Sequence, residues 1–230
     1  MAITTGVAAI GFEADGTQWE VDDVITDRHG DEHTVTAVYS TLGAFFTDVT
    51  GQTLTGDLYA FVGYSDDSQT LTFSEGGLSL GNISATNKKL VIEGLWGDVY
   101  AGGQVIIDAT GNTTGIITGS SFYGYATELA NLEIKNATTN GIFSYSAFMT
   151  LVGCYCHSQP YGAKIVRGGI SLSRLVGTTR ACNCTGAPFY ISRSLLVGTG
   201  SAAAFLNTVN YSTVINNSVL ANTGTGVAWE

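Results

Sequence analysis

Residues 134–229 contain not one Asp or Glu, yet the same stretch carries Lys135, Lys164, Arg167, Arg174, Arg180 and Arg193. Glycoside hydrolysis needs a pair of carboxylates at the scissile bond. Calcium-assisted β-elimination needs a cluster of acids for the metal and a base for the proton. That stretch alone supplies neither, which argues against an enzyme. Charge is scarce everywhere, at 12% of residues, and there are two prolines. No run approaches the ~18 apolar residues of a membrane span, and no long stretch joins helical periodicity to good helix formers. The start, Met1 to Ile10, has no basic n-region and is too short for a typical signal peptide. The expectation is synthesis in a cytoplasm, with no membrane contact. The net charge is −10 and the bases are dispersed, so nucleic acid is not an expected partner.

What is abundant is glycine, with 30 residues, and 44% of the chain is hydrophobic. Thr, Ser and Asn supply the polarity, and they favour turns and strands over helix interiors. A glycine followed by a small or branched apolar residue returns at Gly115-Ile116, Gly141-Ile142, Gly162-Ala163, Gly186-Ala187 and Gly226-Val227. The steps are 26, 21, 24 and 40 residues, the last close to two steps of about 20. Polar stretches precede these glycines and short apolar runs lie between them. Irregular self-similarity of this kind marks a solenoid.

The fold class expected is all-β, with an N-terminal antiparallel β region or cap over residues 1–77 and a parallel β solenoid over 78–230. In the first part, Gln18-Trp-Glu-Val-Asp and Thr34-Val-Thr-Ala-Val-Tyr39 flank the turn Asp27-Arg-His-Gly-Asp31, which reads as a hairpin. Ala44-Phe-Phe-Thr, Leu58-Tyr-Ala-Phe-Val and Thr70-Leu-Thr-Phe read as further strands. A solenoid needs such an atypical end to avoid an exposed sheet edge. Residues 1–75 hold 13 of the 19 acids and one base, Arg28. That asymmetry fits an acidic head, or electrostatic matching with another surface.

From residue 78 the runs Lys89-Leu-Val-Ile-Glu-Gly, Gln104-Val-Ile-Ile-Asp, Asn131-Leu-Glu-Ile-Lys-Asn, Met149-Thr-Leu-Val-Gly, Leu172-Ser-Arg-Leu-Val-Gly and Val214-Ile-Asn-Asn-Ser-Val-Leu end in turn chemistry. By texture and period they resemble rungs of a right-handed parallel β-helix of the pectate-lyase and phage-tailspike class. A β-sandwich or jelly roll is the rival. The resemblance implies a structural protein of a tailed-phage virion: a decoration, cement, head-fibre or short tailspike-like subunit. It also implies a homotrimer, other virion proteins as partners, and contact with host-surface polysaccharide. The alternatives are a polysaccharide-cleaving enzyme and a glycan-binding adhesin. No cofactor and no metal are expected.

Three groups stand out as candidate sites. Tyr123 and Phe143 are 20 residues apart, as are Tyr125 and Tyr145, with Phe122 and Phe148 flanking. Aromatics stacked on successive rungs grip sugar rings, line a subunit interface or pack under a turn. Cys154, Cys156, Cys182 and Cys184 form two Cys-x-Cys pairs. Each pair faces one way on a strand, and the 28-residue step is near one rung. Zinc or disulfides are open alternatives, but the reading favours reduced, stacked, buried thiols. His29 and His33 flank the hairpin turn among Asp27, Asp31 and Glu32, which reads as a solvated turn. His157 has no acid near it in sequence. A site built by Asp108 and Glu133 on adjacent rungs is conceivable.

Overall fold

The computed structural model describes residues 2–67, 69–81, 83–84, 87–95, 97–98, 102–118, 125–145, 148–186, 189–200, 202–206, 213–216 and 218–222. At 97–98, 102–103, 125–126, 202–206, 213–216 and 222 it describes the backbone only. Three parallel sheets dominate. The first runs Ala37–Tyr39, Gly6–Phe12, Leu58–Tyr64, Lys88–Gly94, Tyr125–Ala130, Phe148–Val152, Arg167–Ser171, Phe189–Ser192, Thr213–Asn216. The second runs Leu71–Phe73, Val105–Asp108, Glu133–Lys135, Tyr155–His157, Arg174–Gly177, Leu195–Gly198, Val219–Asn222. The third runs Leu78–Leu80, Thr114–Thr118, Asn140–Ser144, Tyr161–Ile165, Arg180–Cys184, Ala202–Leu206. Among the described residues, two short antiparallel pairs, Val24–Thr26 with Glu32–Thr34 and Gly97–Asp98 with Gly102–Gly103, complete the strands.

From Leu58 to Asn222 the chain visits first, second and third sheet in unbroken rotation. The protein is therefore mostly parallel strands in stacked sheets, consistent with a β-helix-like solenoid. Like residues stack where each pass meets the next. Ala60, Ile92, Leu129, Leu151, Ile170 and Ile191 are successive register partners in the first sheet. Phe73, Ile107, Ile134, Cys156, Leu175 and Leu196 are partners in the second. These side chains belong to one buried cluster running from Ile3 to Leu196, across the 77/78 boundary marked by composition. Burying a column of this kind withdraws about 1.5–3 kcal/mol of apolar side chain from water per residue.

The N-terminal part differs from its antiparallel expectation. Gly6–Phe12 lies parallel to Leu58–Tyr64, and Leu58–Tyr64 parallel to Lys88–Gly94. Alternation sets which face is buried but not the direction of the neighbouring strand. The hairpin survives as antiparallel, with shorter strands than expected, and Phe12 makes an isolated antiparallel bridge to Gln18. Asp27 Oδ1 accepts from the N–H groups of His29 and Asp31 at 2.8 and 3.0 Å and closes its turn.

The expected strand at Ala44–Thr47 is a helix, Leu42–Val49. Leu42, Phe45, Phe46 and Val49 are buried at the i, i+3, i+4, i+7 spacing of a helix face. Thr41 Oγ1 caps the start by accepting from Ala44 N–H at 3.0 Å. The helix packs against Leu78–Leu80, the terminal strand of the third sheet.

The hairpin segment closes onto the outer face of the first sheet. Val7, Ala9 and Phe61, alternating with core residues, meet Trp19, Ile25 and Val35 in a second buried cluster. Arg28 reaches across to Glu93 at 2.5 Å and also pairs with Glu128. The single base of the acidic part is thus spent on carboxylates of the sheet it covers. His33 is packed rather than solvated. Its ring centroid lies 5.0 Å from those of Tyr59 and Phe61, and its Nε2 is 3.1 Å from Asp27. Burial opposes ionisation of Asp27, but hydrogen bonds from His33, Asp31 and His29 outweigh it and hold the carboxyl below its usual range.

Two corners show why small and hydroxylic residues recur. Gly115, Gly141 and Gly162 are neighbours in register at the start of third-sheet strands. A Cβ on Gly115 would lie 2.7 Å from the Gly141 oxygen, and one on Gly141 would lie 2.6 Å from the Gly162 oxygen. The next position in this register is Ala181, not Gly186 as the repeat suggested. Between the first and second sheets, Asn131, Gly153, Leu172 and Arg193 all turn with φ between 48° and 62°. Just beyond them runs a hydroxyl ladder. Ser173 Oγ accepts from Cys154 N–H at 3.1 Å and donates to the Ser171 carbonyl at 2.8 Å. Ser194 Oγ repeats the pattern with Ser173 N–H and Ser192, 21 residues further on. Ser173→Ala should cost about 1–3 kcal/mol, because a buried N–H loses its acceptor. Urea unfolding checks this: a loss below about 0.3 kcal/mol would mean the ladder is ornamental.

Candidate functional site

The four cysteines are buried and free. They do not lie over one another, because the two pairs belong to different sheets. Cys156 sits in the second sheet between Ile134 and Leu175, and Cys182 in the third between Ala163 and Ala204. The side chains replace aliphatic residues in interior columns. Burial pushes the Cys154 thiol up to about 12 and the Cys184 thiol up to about 11, and raises Cys156 and Cys182 well above the usual value. The thiolate, the form that binds metal or reacts, is therefore strongly disfavoured. Among the described residues no three of His, Cys, Asp and Glu are grouped to hold a metal. In native protein at pH 8 all four should resist iodoacetamide, and all four should react after denaturation. Labelling of one at the rate of a free thiol would show an open rung.

The aromatic candidates fall on an outer face. Phe143 points away from the core in the third sheet, in register with Ile117 and Lys164. The ring of Tyr145 lies 4.2 Å from that of Phe143, centroid to centroid, and is half exposed. Lys164 Nζ sits 4.8 Å over the Phe143 ring, a cation–π contact. Phe148, 39% exposed, follows in the first sheet with Arg167 as its register neighbour. The expected 20-residue ladder is not a register ladder. Tyr125 pairs with Lys88 in the first sheet, whereas Tyr145 directly follows the third-sheet strand Asn140–Ser144. Tyr123 lies outside the described residues. What the described residues hold instead is a cluster of Phe143, Tyr145 and Lys164 on the third sheet, with Phe148 and Arg167 paired separately in the first.

A second cluster lies on the outer face of the second sheet, where the residues alone gave little signal. Glu133, Tyr155 and Arg174 are register partners, and so are Asp108, Lys135 and His157. His157 Nε2 is 3.1 Å from Glu133 Oε1, and His157 Nδ1 is 2.8 Å from Ser158 Oγ. The Tyr155 ring stacks on His157 at 4.4 Å, with the Arg174 guanidinium 4.9 Å over Tyr155. Glu133 is 8% exposed. His157 and its acid are 24 residues apart in sequence, about one rung. A search for acids near His157 along the chain misses it; counting one rung back finds it.

A site built by Asp108 and Glu133 together does not form. Asp108 stands opposite Lys135, and it accepts from Thr110 Oγ1 at 2.6 Å and from Asn136 Nδ2 at 3.1 Å. The hydrogen bonds from Thr110 and Asn136 hold its carboxyl below the usual range. Comparison with protein-family models, curated proteins and solved structures finds no match to this chain.

Proposed function

We propose that the chain is a structural component of a tailed-phage virion: a decoration, cement, head-fibre or short tailspike-like subunit. In this reading it is made in the host cytoplasm and presents a rigid right-handed parallel β-helix on the particle. The observation that carries the reading is the unbroken rotation through three in-register parallel sheets, joined to a segregation of charge along their stacking direction. The acid-rich segment 1–75 supplies the strands at one end of the first and second sheet orders, with its acids in the connections, the hairpin and the helix around them, and the strands from Asn140 onward, which carry no acid, stand at the other end. A rod of this kind suits a particle fitting, with the charged end fixing register and orientation. Attachment through the acidic end weakens with salt, because exposed charges are screened over about 8–10 Å at physiological ionic strength. The subunits associate as a homotrimer. Mass spectrometry of purified virions against secreted culture protein tests the assignment: enrichment in the secreted fraction overturns it. Multi-angle light scattering at micromolar concentration, with a monomeric mass as the adverse result, tests the trimer.

The cluster of Phe143, Tyr145 and Lys164 supports a second reading, a glycan-binding adhesin. Exposed rings stack on sugar faces and the cation adds hydrogen-bond donors. Glycan-array binding that survives in Tyr145→Ala and Phe143→Ala variants would remove it.

A further inference from the structure

A hydroxyl, an imidazole and a carboxylate lie in one hydrogen-bonded line on the outer face of the second sheet. The distances are 2.8 Å from Ser158 Oγ to His157 Nδ1 and 3.1 Å from His157 Nε2 to Glu133 Oε1. An ionised carboxylate only accepts, so in the neutral ring the tautomer that satisfies both contacts carries its proton on Nε2, towards Glu133. The lone pair of Nδ1 then faces Ser158, whose hydroxyl donates to it. This is the connectivity that activates a serine: nucleophile against base, base oriented by a third group.

The surroundings are built to keep that line in place. Glu133 and His157 have side-chain exposures of 10% and 22%, whereas Ser158 is exposed. The carboxylate is therefore nearly covered and the imidazole partly so, while the hydroxyl is presented. Tyr155 stacks on one face of the imidazole and is itself covered by Arg174. Ser158 follows the strand Tyr155–His157 with φ at +61°, so the chain turns sharply at the hydroxyl. The next residue is anchored on both sides. Gln159 is buried, its Nε2 donates to the Ile134 carbonyl at 3.3 Å, and its carbonyl accepts from Thr178 N–H at 2.9 Å. The cation nearest by register is Lys135, directly opposite His157.

We propose that Glu133, His157 and Ser158 form an acyl-transfer centre acting on short carboxylic esters presented at the surface. Ser158 Oγ bonds to the acyl carbon as its proton passes to His157 Nδ1. The carbon–oxygen bond to the alcohol breaks, and the alcohol leaves with that proton. Water then attacks the acyl-serine, giving its proton to Nδ1, and the free acid departs as the proton returns to Ser158. Water is the only co-reactant, and no electrons are exchanged. Glu133 takes no proton; it keeps the ring in the tautomer that accepts from serine. The assignment does not rest on the virion reading, since an ester-cleaving surface and a particle fitting are separable properties of one rod.

The test is covalent labelling with a fluorophosphonate probe, followed by peptide mass spectrometry, alongside hydrolysis of p-nitrophenyl acetate. One adduct per chain is expected, on Ser158, and none on Ser158→Ala. The His157→Gln variant should label at least ~100-fold more slowly, the scale of a lost general base. Glu133→Gln should slow labelling with the melting temperature little changed. A readout independent of esters comes from Ser158→Cys. With the four native thiols buried, alkylation there should be rapid below pH 7 and should slow when His157→Gln is added. No adduct on wild-type protein, an adduct elsewhere, or labelling of Ser158 unaffected by His157→Gln overturns the proposal. So does a Ser158→Cys thiol that titrates like a free cysteine.

Discussion

Gly168→Ala is expected to cost about 4 kcal/mol or more, or to leave no soluble protein. Gly168 has φ of +134°, and a Cβ there would fall well inside the van der Waals radius of the Met149 carbonyl oxygen. Neither side can give way. Met149 and Gly168 are register partners in the first sheet, and the Met149 side chain is in the core. Moving the strand Arg167–Ser171 would also break its pairing with Phe189–Ser192. Gly111 is the control, because it has φ of +82° with open space around it. Gly111→Ala should cost only the roughly 1–2 kcal/mol of a left-handed backbone. Urea or thermal unfolding of the two variants separates steric from conformational cost. Equal losses would show that contact with Met149 is not what makes Gly168 indispensable.

Arg28→Ala should lose about 3–5 kcal/mol at neutral pH, the cost of leaving a buried charge without its partner. Glu93 is 2% exposed, and its carboxylate also accepts from Arg28 N–H at 2.8 Å. Burial raises the Glu93 carboxyl above its usual value, and hydrogen bonding and charge from Arg28 pull it part of the way back. Without the guanidinium it rises further. A raised carboxyl stabilises the fold below the unfolded value, about 4.3, and that contribution is lost as pH rises through the folded one. The deficit of Arg28→Ala should therefore be smaller at pH 5 than at pH 8. A deficit independent of pH would mean that lost packing of the arginine stem outweighs the stranded carboxylate.

The sequence made the repeat and the parallel sheets legible, because spacing and strand length are local properties. The glycines at 115, 141 and 162 are a readable trace of backbones passing close together. The trace fails at Ala181, where the shorter rung moves the register away from Gly186. Direction was less legible: Val7 to Ile10 and Leu58 to Val62 would alternate identically in either orientation. The helix at Leu42–Val49 was misread because Ala44-Phe-Phe-Thr, taken alone, favours a strand; only the buried Leu42 and Val49 set the 3.6-residue period. His157 and Glu133 meet through a register that composition cannot supply. The hydroxyl of Ser158 acquires its neighbour by local geometry, and its significance only through Glu133.

The stacking order also carries a timetable. Each strand finds its partner about one rung back, as in the 19, 21 and 24 residues between successive ladder contacts. A ribosome adds that many residues in roughly 1–5 s at about 5–20 residues per second. Closing a loop of that size takes well under a millisecond. The growing edge thus waits for chain rather than for conformation. It stands unpaired for seconds at a time, facing the tunnel, while the helix Leu42–Val49 already lies against the opposite terminal strand. The rate of synthesis, rather than the time of loop closure, sets how long that unpaired edge is offered to a neighbouring nascent chain.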